Sequence, residues 1–179
     1  MNGLDNDSSA KARELRESFD RSFSMPRVPS TAPADDLLLV RICGRRYALR
    51  IAELRGLFPG RKVTPLPSAD PALLGIVGIR GQLVPTYSLA VLLDFGGGPS
   101  EHSSLVLCEQ LNLTVALAFD EFVESVRVSE SDLHASPVAE RLPTHIAQVA
   151  RIVPETCYVI STGSILKSIA RKDINATRR

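Results

Sequence analysis

Residues 74–93 read LGIVGIRGQLVPTYSLAVLL, and the centre of this stretch decides the fold. Two apolar pieces, Gly75 to Ile79 and Leu83 to Pro85, stand on either side of Arg80, Gly81 and Gln82. That arrangement predicts a β-hairpin in which the glycines allow positive φ or close backbone approach. Ser88 to Leu93 then predicts one or two helical turns.

Upstream, the apolar run Leu37 to Cys43 is closed by Gly44-Arg45-Arg46 and answered by Tyr47 to Ile51, which predicts another hairpin. Leu54, Leu57 and Phe58 are spaced as on a short helix, stopped by Pro59-Gly60. Lys62 to Leu66 reads as a brief edge strand, demoted by Pro65. Downstream, Asp94 to Ser103 contains Gly96, Gly97, Gly98 and Pro99, a loose connector between two halves. Strands are expected at 104–110 and 113–119 around Gln110-Leu111-Asn112, and another near 122–128. A short helix begins at Ser129 or Ser131, strands follow near 146–153 and 157–161, and a helix from Ser164 to Arg171 closes the chain. About nine or ten short strands with few long helices argue for an all-β architecture of two small barrels sharing strands.

The expected organisation is a flexible, polar, Pro-rich tail at 1–35, a folded domain at 36–171 with subdomains joined near 94–103, and a basic tail at 172–179. Within the first tail, Ala12, Leu15, Phe19 and Phe23 recur at helical spacing. Hydrophobic residues make up 44% and charged residues 23%, so the chain can bury a core, and with no Trp that core rests on aliphatic side chains. Twenty-one Lys and Arg oppose twenty Asp and Glu, so no overall field favours nucleic acid or anionic membrane. The apolar stretches are too short for a membrane span, and no signal core opens the chain. Cys43, Cys108 and Cys157 are dispersed in apolar runs and read as reduced core thiols of a cytosolic protein.

No catalytic constellation emerges. His102, His134 and His145 read as surface side chains without a cysteine spacing that suggests zinc, and there is no nucleophile elbow. The glycine run lacks the Lys-Ser/Thr of a phosphate-cradling loop. Glu121 and Glu124 beside Asp120 are carboxylates of an ordinary strand border. Scattered aromatics without interleaved basic residues leave a small-barrel nucleic-acid or ligand-binding module as the weaker alternative. What remains is recognition by apolar grooves and strand edges.

Residues 74–93 resemble the signature of the CheW family, matching it at Gly75, Arg80, Gly81, Val84, Pro85 and Leu89. The resemblance continues through Tyr47-Ala-Leu, Val63-Thr-Pro-Leu-Pro67, Ala118-Phe-Asp120 and the strand and helix at 157–170. Gly78 stands where the family usually has Asn, Ser88 where it has Asp, and Glu121 and Gln148 where glycine is common, so the chain is expected to be a divergent member. The resemblance implies two intertwined five-stranded SH3-like β-barrels with short helices and a C-terminal helix. It also implies a non-catalytic adaptor, without cofactor or metal, that couples the cytoplasmic tip of a chemoreceptor to the regulatory domain of a CheA-type histidine kinase. Such an adaptor is a monomer alone and is recruited from the cytoplasm into a larger array. Carried over by position, Arg80, Leu54 and Val84 would meet the receptor, and Ile51, Val63 and Leu74 the kinase. Gly75, Gly81 and Pro85 would shape the turn. Loss of the usual Asn and Asp, expected to weaken support for the Arg80-Gly81 turn, leaves open a modulator that keeps one partner only.

Overall fold

The structure is a computed structural model that describes residues 34–95, 104–110, 112–135, 145–152 and 155–177. The proposed helix around Ala12 to Phe23, the glycine run and His102 lie outside the described residues. Eleven strands are described: β1 (Ala34–Ile42), β2 (Arg45–Arg50), β3 (Leu54–Pro59), β4 (Leu73–Ile79), β5 (Gln82–Ser88), β6 (Ser104–Gln110), β7 (Leu113–Phe119), β8 (Glu121–Ser129), β9 (Leu133–Ala135), β10 (Ile146–Ile152) and β11 (Glu155–Ile160). Helix α1 (Leu89–Leu92) follows β5 and helix α2 (Thr162–Thr177) follows β11, with 3-10 turns at Ile51–Glu53 and Glu130–Asp132.

The strands form two sheets, in the orders β8-β1-β2-β11-β10-β9 and β3-β6-β7-β5-β4. Chain connectivity forces both to curl. The outermost strands of the first, β8 and β9, are joined by the three residues Glu130–Asp132, so the sheet bends until its ends meet. In the second, β3 and β4 are outermost and consecutive, and the segment between them bonds back onto β4. Thr64 N–H donates to the Ile76 carbonyl at 2.8 Å, and Ile76 N–H returns a bond to Thr64 at 2.9 Å. These are the two intertwined SH3-like barrels expected, the first carrying β9 as a short sixth strand.

Both barrels have the same plan. A lone strand lies antiparallel to the first strand of a hairpin (β8 on β1; β3 on β6). The second strand of that hairpin runs parallel to the second strand of another hairpin (β2 with β11; β7 with β5). Even the irregularities correspond. Leu74 is the extra residue where β4 meets β5, and Ala147 where β10 meets β11, so Gly75 and Gln148 occupy equivalent positions. The bridge at Thr64 is the counterpart of β9. Each half of the chain supplies hairpin, lone strand, hairpin and helix, but the halves exchange their first hairpins. Residues 94–103 therefore divide the two halves without joining the two barrels. They connect β5 to β6, which belong to one sheet, and the chain passes between barrels at Ile51–Glu53 and Asp120.

Three apolar clusters hold this arrangement. Leu37, Leu39, Ala48, Cys157 and Val159 fill the first barrel, and Val77, Ile79, Val84, Leu105 and Ala116 fill the second. The largest cluster lies between barrels and includes Val40, Tyr47, Leu49, Val106, Leu117, Phe119 and Ile160, capped by Ile165, Leu166 and Ile169 of α2. Each sheet therefore buries both faces over its central strands, which is why those strands read as continuous apolar runs. Cys108 and Cys157 are buried as expected, but Cys43 is exposed because it occupies the β1–β2 turn.

Sequence periodicity misassigns one element: residues 54–58 are strand β3 rather than helix. Leu54 opposes Cys108 and Gly56 opposes Leu107, leaving Arg55 as a bulge. The bulge resets the alternation, so Leu54 and Leu57 both pack on the inter-barrel core despite an odd spacing that imitates a helix. The expected strand at 62–66 reduces to the Thr64 bridge. Helix α2 begins before Ser164, where the Ser161 hydroxyl accepts from Ser164 N–H at 3.2 Å as a cap.

His145 overturns its surface assignment, being only 7% exposed. Its Nδ1 lies 3.0 Å from the Ser164 hydroxyl, and its carbonyl accepts from Ser161 N–H, fastening β10 to the first turn of α2. Burial lowers its pKa below the usual imidazole value, the Asp94 charge working against this and that of Lys172 with it. Acidification should then weaken the fold. As pH falls through the unfolded imidazole value, about 6.5, the unfolded chain takes up a proton that the folded chain resists, costing at most about 1.4 kcal/mol per pH unit. Urea unfolding midpoints should fall below that pH, and fall less in His145→Asn.

Candidate docking surface

The β4–β5 turn is a two-residue loop in which Arg80 has φ +51° and Gly81 φ +79°. Two positive φ values match the twist of a tight hairpin, but the first is unfavourable for a side chain as large as arginine. The Arg80 guanidinium lies 5.9 Å from the centre of the Phe58 ring, spanning from the hairpin tip to β3. No carboxylate pairs with it among the described residues. Leu83, next along the tip, is 74% exposed and opposes Gly78, which offers no side chain to cover it. The second barrel thus carries at this hairpin an unpaired cation over a half-buried aromatic ring and, on the outward side of the sheet, a bare leucine.

The other residues singled out from sequence fall in different environments. Val84 is a correction: it opposes Val77, is 3% exposed and belongs to the barrel core, so it can only support the surface from beneath. Val63 and Leu74 are half-buried against that same core. Leu54 is half-buried against the inter-barrel core, while Ile51 is 38% exposed on the 3-10 turn just before it. Burial alone therefore does not sort these residues into a receptor set and a kinase set. Pro85 is half-buried opposite Ile76, and Gly75 sits where a Cβ would lie 2.0 Å from the Thr64 carbonyl oxygen. The sequence reading places Leu83 in a strand and Phe58 on a helix and assigns neither to a docking surface. Their signal is the turn register: Ile79 pairs with Gln82, so inward Val77 selects Val84, and Leu83 must point out.

The substitutions at family positions are accommodated without loss of structure. Ser88 is fully buried and caps α1, accepting from Val91 N–H at 3.3 Å. It stands at the far end of β5 from Arg80 and so does not brace that turn. A Cβ on Gly78 would meet nothing within 4 Å. Glu121 pairs with Arg41 at 3.0 Å, and Asp120 accepts from Cys43 N–H at 2.7 Å. Gln148 accepts from Arg50, which also meets Asp35 at 2.9 Å.

Where the chain crosses between barrels, a cleft of about 190 Å3 is lined by Glu53, Cys108, Gln110, Thr162, Gly163 and Leu166. Thr162 donates its hydroxyl to Glu53, tying the crossing to the start of α2. Burial, reinforced by the Glu53 charge, pushes the Cys108 thiol up to about 12, so it stays protonated and unreactive near neutral pH. Among the described residues there is no cluster of His, Cys, Asp and Glu suited to a metal, and no helix long and apolar enough to cross a membrane.

Residues 36–170 match the family model described as CheW-like domain. The chemotaxis protein CheW of Bacillus subtilis is 18% identical over 135 residues, covering 74% of this chain and 86% of that protein. The chemotaxis protein CheW of Rhizobium meliloti is 21% identical over 103 residues, covering 57% and 66%. Among solved structures, the crystal structure of the scaffolding protein TtCheW from Thermoanaerobacter tengcongensis aligns with a TM-score of 0.66 and 19% identity. That alignment covers 72% of this chain and 90% of that one.

Proposed function

This chain belongs to the CheW-like domain family, and from that premise we propose that it is a non-catalytic scaffold joining a chemoreceptor tip to a CheA-type histidine kinase. The observation that carries the reading is the Arg80 tip. A left-handed arginine costs about 1–2 kcal/mol relative to an ordinary backbone conformation, and among the described residues the Arg80 guanidinium meets the Phe58 ring. Cys43 keeps the same backbone in the β1–β2 turn, so what sets Arg80 apart is an exposed cation that no carboxylate among the described residues neutralises, a group open to a partner of complementary charge.

In this reading Arg80 and Leu54 face the receptor, with Val84 beneath, while Ile51, Val63 and Leu74 lie toward the kinase. The chain breaks no bond. Contacts that differ between receptor states bias the populations of the kinase, and a coupling of about 1–3 kcal/mol changes activity several-fold. Residues 36–171 act as the working domain, in the cytoplasm, with β1 reaching back to Ala34 and α2 running on to Thr177, inside the tails expected at 1–35 and 172–179.

Co-sedimentation tests this directly. The full chain should carry a CheA-type kinase into receptor-containing membranes, and omitting either the chain or the receptor should leave the kinase in the supernatant. Binding to receptor or kinase alone would replace the adaptor reading with that of a single-partner modulator. Binding to neither would overturn both.

A further inference from the structure

The two barrels present equivalent outer faces with opposite chemistry. In the second barrel the β4–β5 face beyond the inter-barrel core carries Leu83 opposite Gly78 and Pro85 opposite Ile76. At the equivalent positions of the first barrel stand Thr156 opposite Arg151 and Tyr158 opposite Val149. Residues directly opposite in a ladder project to the same side of a sheet. Tyr47 and Ile160 belong to the inter-barrel core, so Tyr158 and Thr156, at alternate positions from Ile160, extend that side outward. Arg45 continues it on β2, alternate to Tyr47.

The charges on the two sides of this sheet differ. Arg46, one residue on from Arg45 and pointing the opposite way, is paired with Glu155 at 3.3 Å. Arg45 and Arg151 are exposed; Arg45 donates to the Tyr47 hydroxyl, and neither has a carboxylate partner among the described residues. Tyr158 is 37% exposed, its ring centre 6.5 Å from that of buried Tyr47. The face thus combines an aromatic and aliphatic floor with two uncompensated cations on strands either side of Thr156. At about 5 Å per strand the Cα atoms of Arg45 and Arg151 stand about 10 Å apart, the span of three residues of extended chain.

We propose that this face docks an acidic segment of a partner protein, carboxylates pairing with Arg45 and Arg151 while an apolar side chain between them packs on Tyr158 and Val149. Charge complementarity and the apolar floor select this occupant together. A small anion needs buried donors and gains nothing from Tyr158 and Val149, whereas an acidic segment with an apolar residue uses both. This surface is distinct from the Arg80 tip, and its use does not depend on which partner that tip holds.

The test titrates a fluorescein-labelled peptide of repeated Glu-Glu-Leu units with the full chain, followed by anisotropy. Expected are saturable binding that weakens with salt, no binding of the Gln-Gln-Leu counterpart, and about tenfold or greater loss in the double variant Arg45→Glu, Arg151→Glu. Tyr158→Ala should weaken binding several-fold, and Arg46→Gln should leave it unchanged. Circular dichroism would show the exposed substitutions to be folded. The proposal fails if the acidic peptide does not saturate, if the Gln peptide binds equally, or if the double reversal has no effect. It fails equally if Arg46→Gln is as damaging, or if oligothymidylate of matching charge displaces the peptide.

Discussion

Replacing Gly75 by alanine is expected to lower stability by about 4 kcal/mol, at the upper end of single-substitution effects. An added Cβ would lie 2.0 Å from the Thr64 oxygen, 2.7 Å from its carbonyl carbon and 2.8 Å from the Pro65 Cα. All three are backbone atoms, so no rotamer change relieves the clash. The strand cannot retreat either, because Thr64 is bonded to Ile76 in both directions. Gly75 also has φ +143°, which disfavours any side chain. The comparison is Gly78→Ala in the same strand, where a Cβ meets nothing within 4 Å and the change should stay within about 0.5 kcal/mol. Urea unfolding followed by circular dichroism measures both, and a Gly75→Ala protein as stable as its parent would refute the close approach.

Charge reversal at the hairpin tip should have the largest functional effect and little structural one. Arg80→Glu is expected to reduce kinase recovery with receptor membranes by about tenfold or more, since it removes the cation and repels a partner that matched it. Its stability cost is limited to the contact with Phe58, about 0.5–1 kcal/mol at an exposed site. Arg80→Gly separates the two roles: it relieves the left-handed backbone, so the variant should be at least as stable, yet recruitment should still fall. Arg80→Lys should retain part of the activity, keeping charge but losing the planar group that stacks on a ring. Full recruitment by Arg80→Glu would remove this tip from the proposed interface.

The strands at 104–110 and 113–119 were legible to the residue because the turn at Asn112 and the apolar run are local signals. The halves on either side of 94–103 were legible too. Which hairpin joins which barrel was not, because β2 pairs with β11 and β7 with β5 through contacts distant in sequence, to which local periodicity is blind. At the site, Arg80 and the glycines of the turn could be read from chain chemistry. Val84 and Leu83 differ by one position and by the full thickness of a sheet, and only the register across Gly78 and Val77 distinguishes them. His145 and Ser164 could not be paired from sequence, since what buries the ring is the docking of α2.

The exchange of first hairpins means that neither half can be cut free as a working module. β1 and β2 are synthesised early, yet the parallel neighbour of β2, β11, is the last of the described strands to be made, so the first barrel cannot close until residues 155–160 have left the ribosome. Closure of the first barrel through such distant pairings is expected to be slow. The early strands meanwhile expose sheet edges to other nascent chains.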